Sequence, residues 1–135
     1  MTLKKRFALV AGILAIGSVV PAVPAQAHNI TCSWEKSYGT PIRNSGGGSQ
    51  GAVRVNCTSM LDDANTAAQL QQDNLGWEDW GTETVSHDTG PTIVVVDTAP
   101  YPQIRRNFRT MGTHFGQHGN IWSLPTYYSP TRYLG

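Results

Sequence analysis

Four histidines are the residues of this chain best suited to metal chemistry: His28, His87, His114 and His118. Cleavage before His28 exposes an amine and an imidazole on one residue, a pair that chelates Cu(II) when a second histidine lies within reach. His114 and His118 have a spacing that zinc sites use on helices, but the glycines around them favour strand and turn. We therefore predict no metal site and no other cofactor, with His28, His114 and His118 as the candidate ligands.

A glycine-rich segment over residues 46–51 matches two catalytic patterns. Its glycines fit the dinucleotide-binding fingerprint, and residues 47–51 fit the nucleophile elbow around Ser49. Both chemistries need a strand before the motif and a helix after it. Here a loop rich in Gly, Ser and Asn, residues 37–51, precedes a strand pattern. We therefore predict a plain loop and a protein that is not an enzyme.

Two groups of side chains could form a binding surface. Trp77 and Trp80 flank a pair of acidic residues and could form an aromatic platform for sugars, although tryptophans of small secreted domains more often belong to the core. Arg105, Asn107 and Arg109 alternate and so share one face of a strand, which could contact an acidic partner or only solvent. We take Trp77, Trp80, Arg105 and Arg109 as the candidate binding surface.

The first 27 residues have the organisation of an export signal. Three basic residues at 4–6 precede an apolar run over 7–20, and alanines at 25 and 27 supply a small-residue cleavage site. We predict a signal peptide over 1–27 that is removed, followed by a single secreted β-rich domain over 28–135. No later stretch is long and apolar enough to suggest a membrane span, so we expect no membrane insertion after cleavage.

The charge of the mature chain argues against a general attraction for polyanions. Cleavage removes three of the ten basic residues and none of the nine acidic ones, so the formal net charge falls from +1 to −2. A near-neutral chain has no field that draws it to nucleic acid or anionic membranes. We therefore predict no nucleic-acid partner.

The two cysteines are predicted to form one disulfide in the core. Residues 28–35 and 52–58 both alternate between apolar and polar side chains, as half-buried strands do. Cys32 and Cys57 fall on the apolar faces, with Trp34 on the same face as Cys32. Exported thiols tend to oxidise, and closing this loop should stabilise the fold by roughly 3–4 kcal/mol.

The patterns in the remaining chain mainly predict strands. Residues 59–72 fit either a helix capped by Ser59 or a turn at 62–65 followed by a strand from Thr66, and we favour the strand. We expect an extended segment over 77–86 and a central strand at 92–96, whose residues are apolar on both faces. A hairpin of 104–115 and 121–128 follows, with a turn over 116–120 and a bulge near Gly112.

About seven short strands without a convincing long helix predict an all-β fold. We expect a small antiparallel β-sandwich of immunoglobulin-like architecture with one disulfide, and a small barrel is the alternative. The spacing of Cys32 and Cys57 is too short for an antibody-type domain.

The function that the sequence favours is that of a secreted, non-catalytic interaction module. We expect it to bind another extracellular protein or a cell-surface glycan, for example as a subunit of an extracellular assembly. Two alternatives stay open: a secreted enzyme inhibitor that uses the loop at 37–50, and a copper-binding protein built on the mature amino-terminal His28.

Overall fold

The computed structural model describes residues 29–135, so the predicted signal peptide over 1–27 and His28 lie outside the described residues. Residues 29–135 form eleven β-strands. None of these residues belongs to a helix long and apolar enough to cross a membrane. In chain order the strands are β1 Cys32–Trp34, β2 Ile42–Arg43, β3 Ser49–Cys57, β4 Asp63–Asp73, β5 Trp77–Asp79, β6 Thr84–Ser86, β7 Thr92–Ala99, β8 Arg106–His118, β9 Asn120–Ser123, β10 Tyr127–Tyr128 and β11 Arg132–Leu134.

The strands form two antiparallel sheets. In the four-stranded sheet, β3 pairs with β1 and β2 along one side and with β7 along the other. In the seven-stranded sheet, β4 and β8 form the central pair, β5 and β6 flank β4, and β9, β10 and β11 pair with successive parts of β8. The two sheets pack face to face, which confirms the predicted antiparallel β-sandwich.

The core lies between the sheets and is filled by alternate residues of each strand. Buried side chains include Val53 and Val55 from β3, Ile93 from β7, and Leu70 and Phe108 from the facing sheet. Each of these is fully excluded from solvent, as expected for the inward positions of period-two strands.

Two glycines allow the sheets to approach each other closely. A Cβ atom on Gly51 would lie 2.1 Å from Thr110 Oγ1, and one on Gly112 would lie 2.8 Å from Val53 Cγ1. No real side chain tolerates such distances without movement of its neighbours. Glycine is therefore required at these inward positions by packing rather than by backbone conformation.

The predicted disulfide is present and lies at the edge of the core. Cys32 and Cys57 are directly opposite each other on β1 and β3, with Cα atoms 4.0 Å apart. Trp34 packs against the buried hydrophobic residues of the core, which include Cys32. The bond therefore joins neighbouring strands of one sheet, whereas antibody domains use their disulfide to join two sheets.

Three sequence-based expectations about strands need correction. The segment 59–72 contains a strand rather than a helix, as favoured, but β4 begins at Asp63 instead of Thr66, so the predicted turn at 62–65 is wrong. The segment 77–86 consists of two short strands, β5 and β6, because residues 80–83 lie outside the strand pairing with β4. The loop over 37–51 contains β2 and ends at the start of β3, Ser49.

The prediction of a central strand at 92–96 is also wrong. Among the strands of residues 29–135, β7 pairs only with β3 and forms an edge of the four-stranded sheet. Its outward residues Val94 and Val96 are each 42% exposed, while Ile93 and Val95 are buried. β-branched residues suit a pleated strand even where one face is solvated, so an apolar run on both faces did not signal burial on both faces.

The bulge predicted near Gly112 is absent from the ladder between β4 and β8. Pairing runs without interruption from Asp63↔Gln117 to Gln72↔Phe108. The apolar alternation is interrupted in the sequence because the inward position at 112 is a glycine that Trp34 and Val53 cover.

The predicted C-terminal hairpin exists with a tighter turn than expected. β8 continues to His118 and β9 starts at Asn120, so the turn centres on Gly119, whose φ is +82°. This left-handed conformation suits glycine. The expected second strand, 121–128, is divided into β9 and β10.

Candidate binding face

The outward side of the seven-stranded sheet, called the outer face here, is set by the alternation of β4 and β8. Phe108 and Thr110 point into the core and are fully buried, so their neighbours Asn107, Arg109 and Met111 point outward. Gln71 is the cross-strand partner of Arg109. The outward residues of the two central strands therefore form regular rows across the sheet.

Arg109 lies between two aromatic rings on the outer face. Its Cζ atom is 4.1 Å from the ring centroid of Trp77 and 3.9 Å from that of Tyr128, well within cation–π range. Trp77 comes from β5 and Tyr128 from β10, which lie at opposite ends of the strand order β10-β8-β4-β5. We call these three residues the Arg109 cluster. It exists only because four strands pair in this register.

Polar contacts fix the guanidinium in this position. Arg109 Nε donates to Gln71 Oε1 at 2.9 Å, and Gln71 Nε2 donates to Asp79 Oδ1 at 3.1 Å. Gln71 Nε2 also lies 3.6 Å from the sulfur of Met111. Within residues 29–135, no hydrogen bond engages the two terminal nitrogens of Arg109. The cluster therefore keeps two guanidinium nitrogens available for an external acceptor.

The electrostatics of the cluster are those of a partly desolvated cation. Desolvation lowers the pKa of Arg109 from its ordinary value, while nearby Tyr128 and Asp73 act in the opposite direction. Arginine keeps its proton under all physiological conditions. The outer face therefore presents a fixed positive charge between two aromatic rings.

Apolar residues extend the outer face along the sheet. Phe115 and Ile121 are 53% and 71% exposed, and Val85 on the neighbouring β6 is 44% exposed. At the other end, Tyr133 pairs with Asn107 and is 56% exposed. Large exposed apolar side chains that share one sheet face mark a surface suited to contact with another molecule.

The tip of the β4–β5 hairpin adds a further exposed apolar residue. Leu75 is fully exposed and has a φ of +60°, a conformation that costs free energy for a residue other than glycine. The turn is held by a hydrogen bond from Gly76 N–H to Asp73 Oδ1. Leu75, Asp73 and Tyr133 line one surface groove, which places the hairpin tip beside the outer face.

The four predicted surface residues lie at three different places. Trp77 and Arg109 meet in the Arg109 cluster. Arg105 lies just before β8, with its Cζ atom 5.2 Å from the ring centroid of Tyr133. Trp80 packs edge-on against the buried Phe108 and donates its indole N–H to Pro100 O. The structure therefore does not bring Trp80 and Trp77 together as one platform.

Ser49 has no catalytic setting. It is fully buried at the start of β3, and its hydroxyl faces the carbonyl oxygens of Ala99 and Pro100, each at 3.1 Å. The glycines before it form the hydrogen-bonded turn between β2 and β3, in which Gly47 N–H donates to Asn44 O. Of the predicted loop over 37–51, residues 37–41 and 44–48 lie outside the strands, and β3 rather than a helix follows.

The segment proposed as an inhibitory loop, residues 37–50, is largely tied to the sandwich. Tyr127 Oη donates to Tyr38 O and accepts from Tyr38 N–H, and Thr110 Oγ1 donates to Gly39 O. Gly39 also packs against the backbone of Ala52 so closely that a side chain would not fit.

The histidines of the described region lie apart from one another. His114 points into the core and shares a 2.7 Å hydrogen bond with Thr66 Oγ1, whereas His118 stands at the end of β8 with Nδ1 3.3 Å from Asp62 Oδ1. Four residues along a strand correspond to about 13 Å, so these two histidines do not share a metal ion. His87 Nδ1 contacts Ala64 O.

Tyr128, Gln71 and Asp79 belong to the candidate site but were not predicted from the sequence. Tyr127 is buried and Tyr128 is exposed because β10 pairs with β8, and this pairing cannot be read from two adjacent tyrosines. Gln71 could not be placed while helix and strand were both open for 59–72.

No protein-family model, no curated protein and no solved structure matches this chain.

Proposed function

We propose that this chain is a secreted, non-catalytic module that binds another protein through the outer face of its seven-stranded sheet. The Arg109 cluster is the observation that carries this proposal. A guanidinium stacked between Trp77 and Tyr128 has two unengaged nitrogens and stands on a face that also exposes Phe115 and Ile121.

The composition of this face is that of a protein interface. Trp, Tyr, Arg and Met are the side chains most enriched at protein–protein contacts, and Trp, Tyr and Arg dominate their binding energy. Trp77, Arg109, Met111 and Tyr128 bring all four types to neighbouring positions. A sugar platform is less well supported, because Trp80 packs on the core and Arg109 covers a face of the Trp77 ring.

The cluster is also organised before any partner binds. Immobilising a long side chain on binding costs about 0.5–1.5 kcal/mol, and this cost is smaller when the side chain is already held. Stacking and the bond to Gln71 hold Arg109 in place. Its planar fork matches the paired acceptors of a carboxylate or of peptide carbonyls.

Arg109→Lys tests the proposal, because lysine keeps the charge but loses the planar stacking and the fork. We expect the variant to fold normally and to bind its partner at least about tenfold more weakly, the loss typical of an interface hot spot. The measurement is quantitative affinity capture from the culture medium of the producing cells, followed by titration of the captured partner.

Arg54→Lys is the matched control. Arg54 is also stacked near an aromatic ring, with Cζ 5.8 Å from the Tyr38 centroid, but it lies on the outward side of the other sheet. Equal losses in both variants, or no loss in Arg109→Lys, would contradict the proposal. Captured material that resists protease but is lost after periodate oxidation would show a glycan ligand instead.

A further inference from the structure

The geometry points to a zinc site that forms when the Cys32–Cys57 disulfide is reduced, with His114 as its third ligand. The two sulfur atoms and a ring nitrogen of His114 lie within 4.8 Å of one another. The site is distinct from the outer face, because all three residues belong to the interior of the sandwich. A test of the zinc site is therefore independent of a test of the proposed function.

His114 is oriented as a metal ligand would be. Its side chain is 1% exposed, and Nδ1 is engaged by Thr66 Oγ1 at 2.7 Å. Nε2 is buried and has no hydrogen-bond partner among residues 29–135. Buried polar nitrogens are almost always paired, so an unpaired one beside two sulfur atoms calls for an explanation. A metal ion between Nε2 and two sulfurs would provide the missing partner.

The hydrogen bond to Thr66 has a defined role in this site. Metal-binding histidines usually donate their second N–H to an oxygen atom, which fixes the tautomer and the orientation of the ring. In the tautomer whose Nδ1–H donates to Thr66 Oγ1, the lone pair of Nε2 is free to bind a metal ion.

The distances suit a d¹⁰ cation that prefers thiolates. Zinc binds sulfur at about 2.3 Å and imidazole nitrogen at about 2.0–2.1 Å, which separates tetrahedral ligands by roughly 3.5–4 Å. The two sulfurs are joined in the disulfide and must separate after reduction, whereas the histidine nitrogen already lies within 4.8 Å of both. Cys57 is partly exposed at the end of β3, which provides access.

The chemistry balances with a dithiol or phosphine as the reductant. Two electrons and two protons convert the Cys32–Cys57 S–S bond into two thiols, while the dithiol becomes a disulfide or the phosphine takes up water to become its oxide. Zn²⁺ then displaces the two thiol protons and forms two Zn–S bonds and one bond to His114. Three protein ligands leave a fourth position for solvent.

The test is a titration of the mature protein with Zn²⁺, and with Co²⁺ as a spectroscopic reporter, after anaerobic phosphine reduction. We expect one ion per chain, thiolate-to-Co²⁺ absorption, and X-ray absorption showing two sulfur ligands and one imidazole. The same protein with its disulfide intact is the control and should bind at least about tenfold more weakly, because the sulfurs are no longer thiolates.

His114→Asn removes Nε2 but retains a side-chain group that can reach Thr66, and we expect it to lose the imidazole contribution and most of the affinity. Thr66→Val should weaken binding by about 10–100-fold while leaving the three ligands in place. His87→Gln, at an exposed histidine, should bind as the wild type does.

Three results would overturn the zinc site. They are no metal binding by the reduced wild type, equal binding by His114→Asn, and equal binding by the oxidised protein. X-ray absorption on the wild type alone also decides the ligand set, so the proposal remains testable if a variant does not fold.

Discussion

At the scale of single residues, the most unusual buried group is the carboxylate of Asp97. It is 1% exposed, accepts a hydrogen bond from Leu70 N–H and another from the Thr84 hydroxyl, both at 2.8 Å. Leu70 lies between the parts of β4 that pair with β5 and β6, so Asp97 satisfies a backbone donor that no strand can reach. The carboxylate thereby joins the two sheets.

The pKa of Asp97 gives a prediction with a definite sign. Desolvation raises this pKa above its ordinary value of 3.8, against the opposing effect of the hydrogen bonds from Leu70 and Thr84. The folded protein therefore binds the Asp97 proton more tightly than the unfolded chain does. The resulting stabilisation is full below pH 3.8 and is lost as pH rises through the raised pKa.

Asp97→Asn carries no titrating charge at this position and isolates the effect. We expect the free energy of unfolding of the variant, minus that of the wild type, to increase with pH over this window and then to become constant. Urea denaturation at a series of pH values measures the difference, and the other carboxylates cancel. A difference that is flat or falls with rising pH would show that burial does not control this group.

At the scale of elements, β7 supplies a pair of neighbouring valines with opposite environments. Val95 is 3% exposed and Val96 is 42% exposed. We expect Val95→Ala to cost about 1.5–3 kcal/mol of unfolding free energy and Val96→Ala to stay within about 0.5 kcal/mol. Chemical denaturation measures both. Similar costs for the two variants would support the central strand that the sequence suggested instead of the observed edge strand.

The sequence predicted elements well where the inward residues were apolar. Residues 52–58 and 28–35 alternate visibly, and their strands and their disulfide are present. In β8 the inward residues after Phe108 are Thr110, Gly112, His114 and Gly116. Val53 and Trp34 leave no room for a side chain at 112, and the ring of Trp122 leaves none at 116. Because none of these four residues is large and apolar, hydrophobic alternation cannot reveal them.

Sequence alternation predicted only part of the candidate site, because the rest depends on how the strands pair. Alternation on one strand correctly placed Asn107 and Arg109 on a common face. The contact of Arg109 with Trp77 spans from β8 across β4 to β5, and the contact with Tyr128 depends on which part of β8 pairs with β10. Such contacts follow from strand order and register, which are properties of the assembled sandwich.

At the scale of the whole molecule, one covalent bond supports a fold of modest size. The bond closes a segment of 25 residues between Cys32 and Cys57. The chain-entropy model gives it about 3–4 kcal/mol, a large share of the 5–15 kcal/mol typical of domains. We expect Cys57→Ser to lose about this amount of unfolding free energy in urea denaturation.

Reductant provides the control for the disulfide prediction. It should lower the stability of the wild type and leave Cys57→Ser unchanged. Equal stability of the wild type with and without reductant, under metal-free conditions, would mean that the crosslink contributes nothing. Metal-free conditions matter because a zinc ion bound at the reduced cysteines would itself stabilise the folded chain.

The proposed function depends on which of the two outward sheet surfaces meets the partner. Photo-crosslinking measures this most directly, with p-benzoylphenylalanine placed either at Tyr133, beside the Arg109 cluster, or at Val94, on the outward side of the other sheet. Both positions are exposed, and neither change removes a residue of the cluster. We predict a covalent adduct with a partner polypeptide from position 133 and none from position 94. An adduct from position 94 alone, or equal adducts from both positions, would contradict the assignment of the outer face as the binding surface.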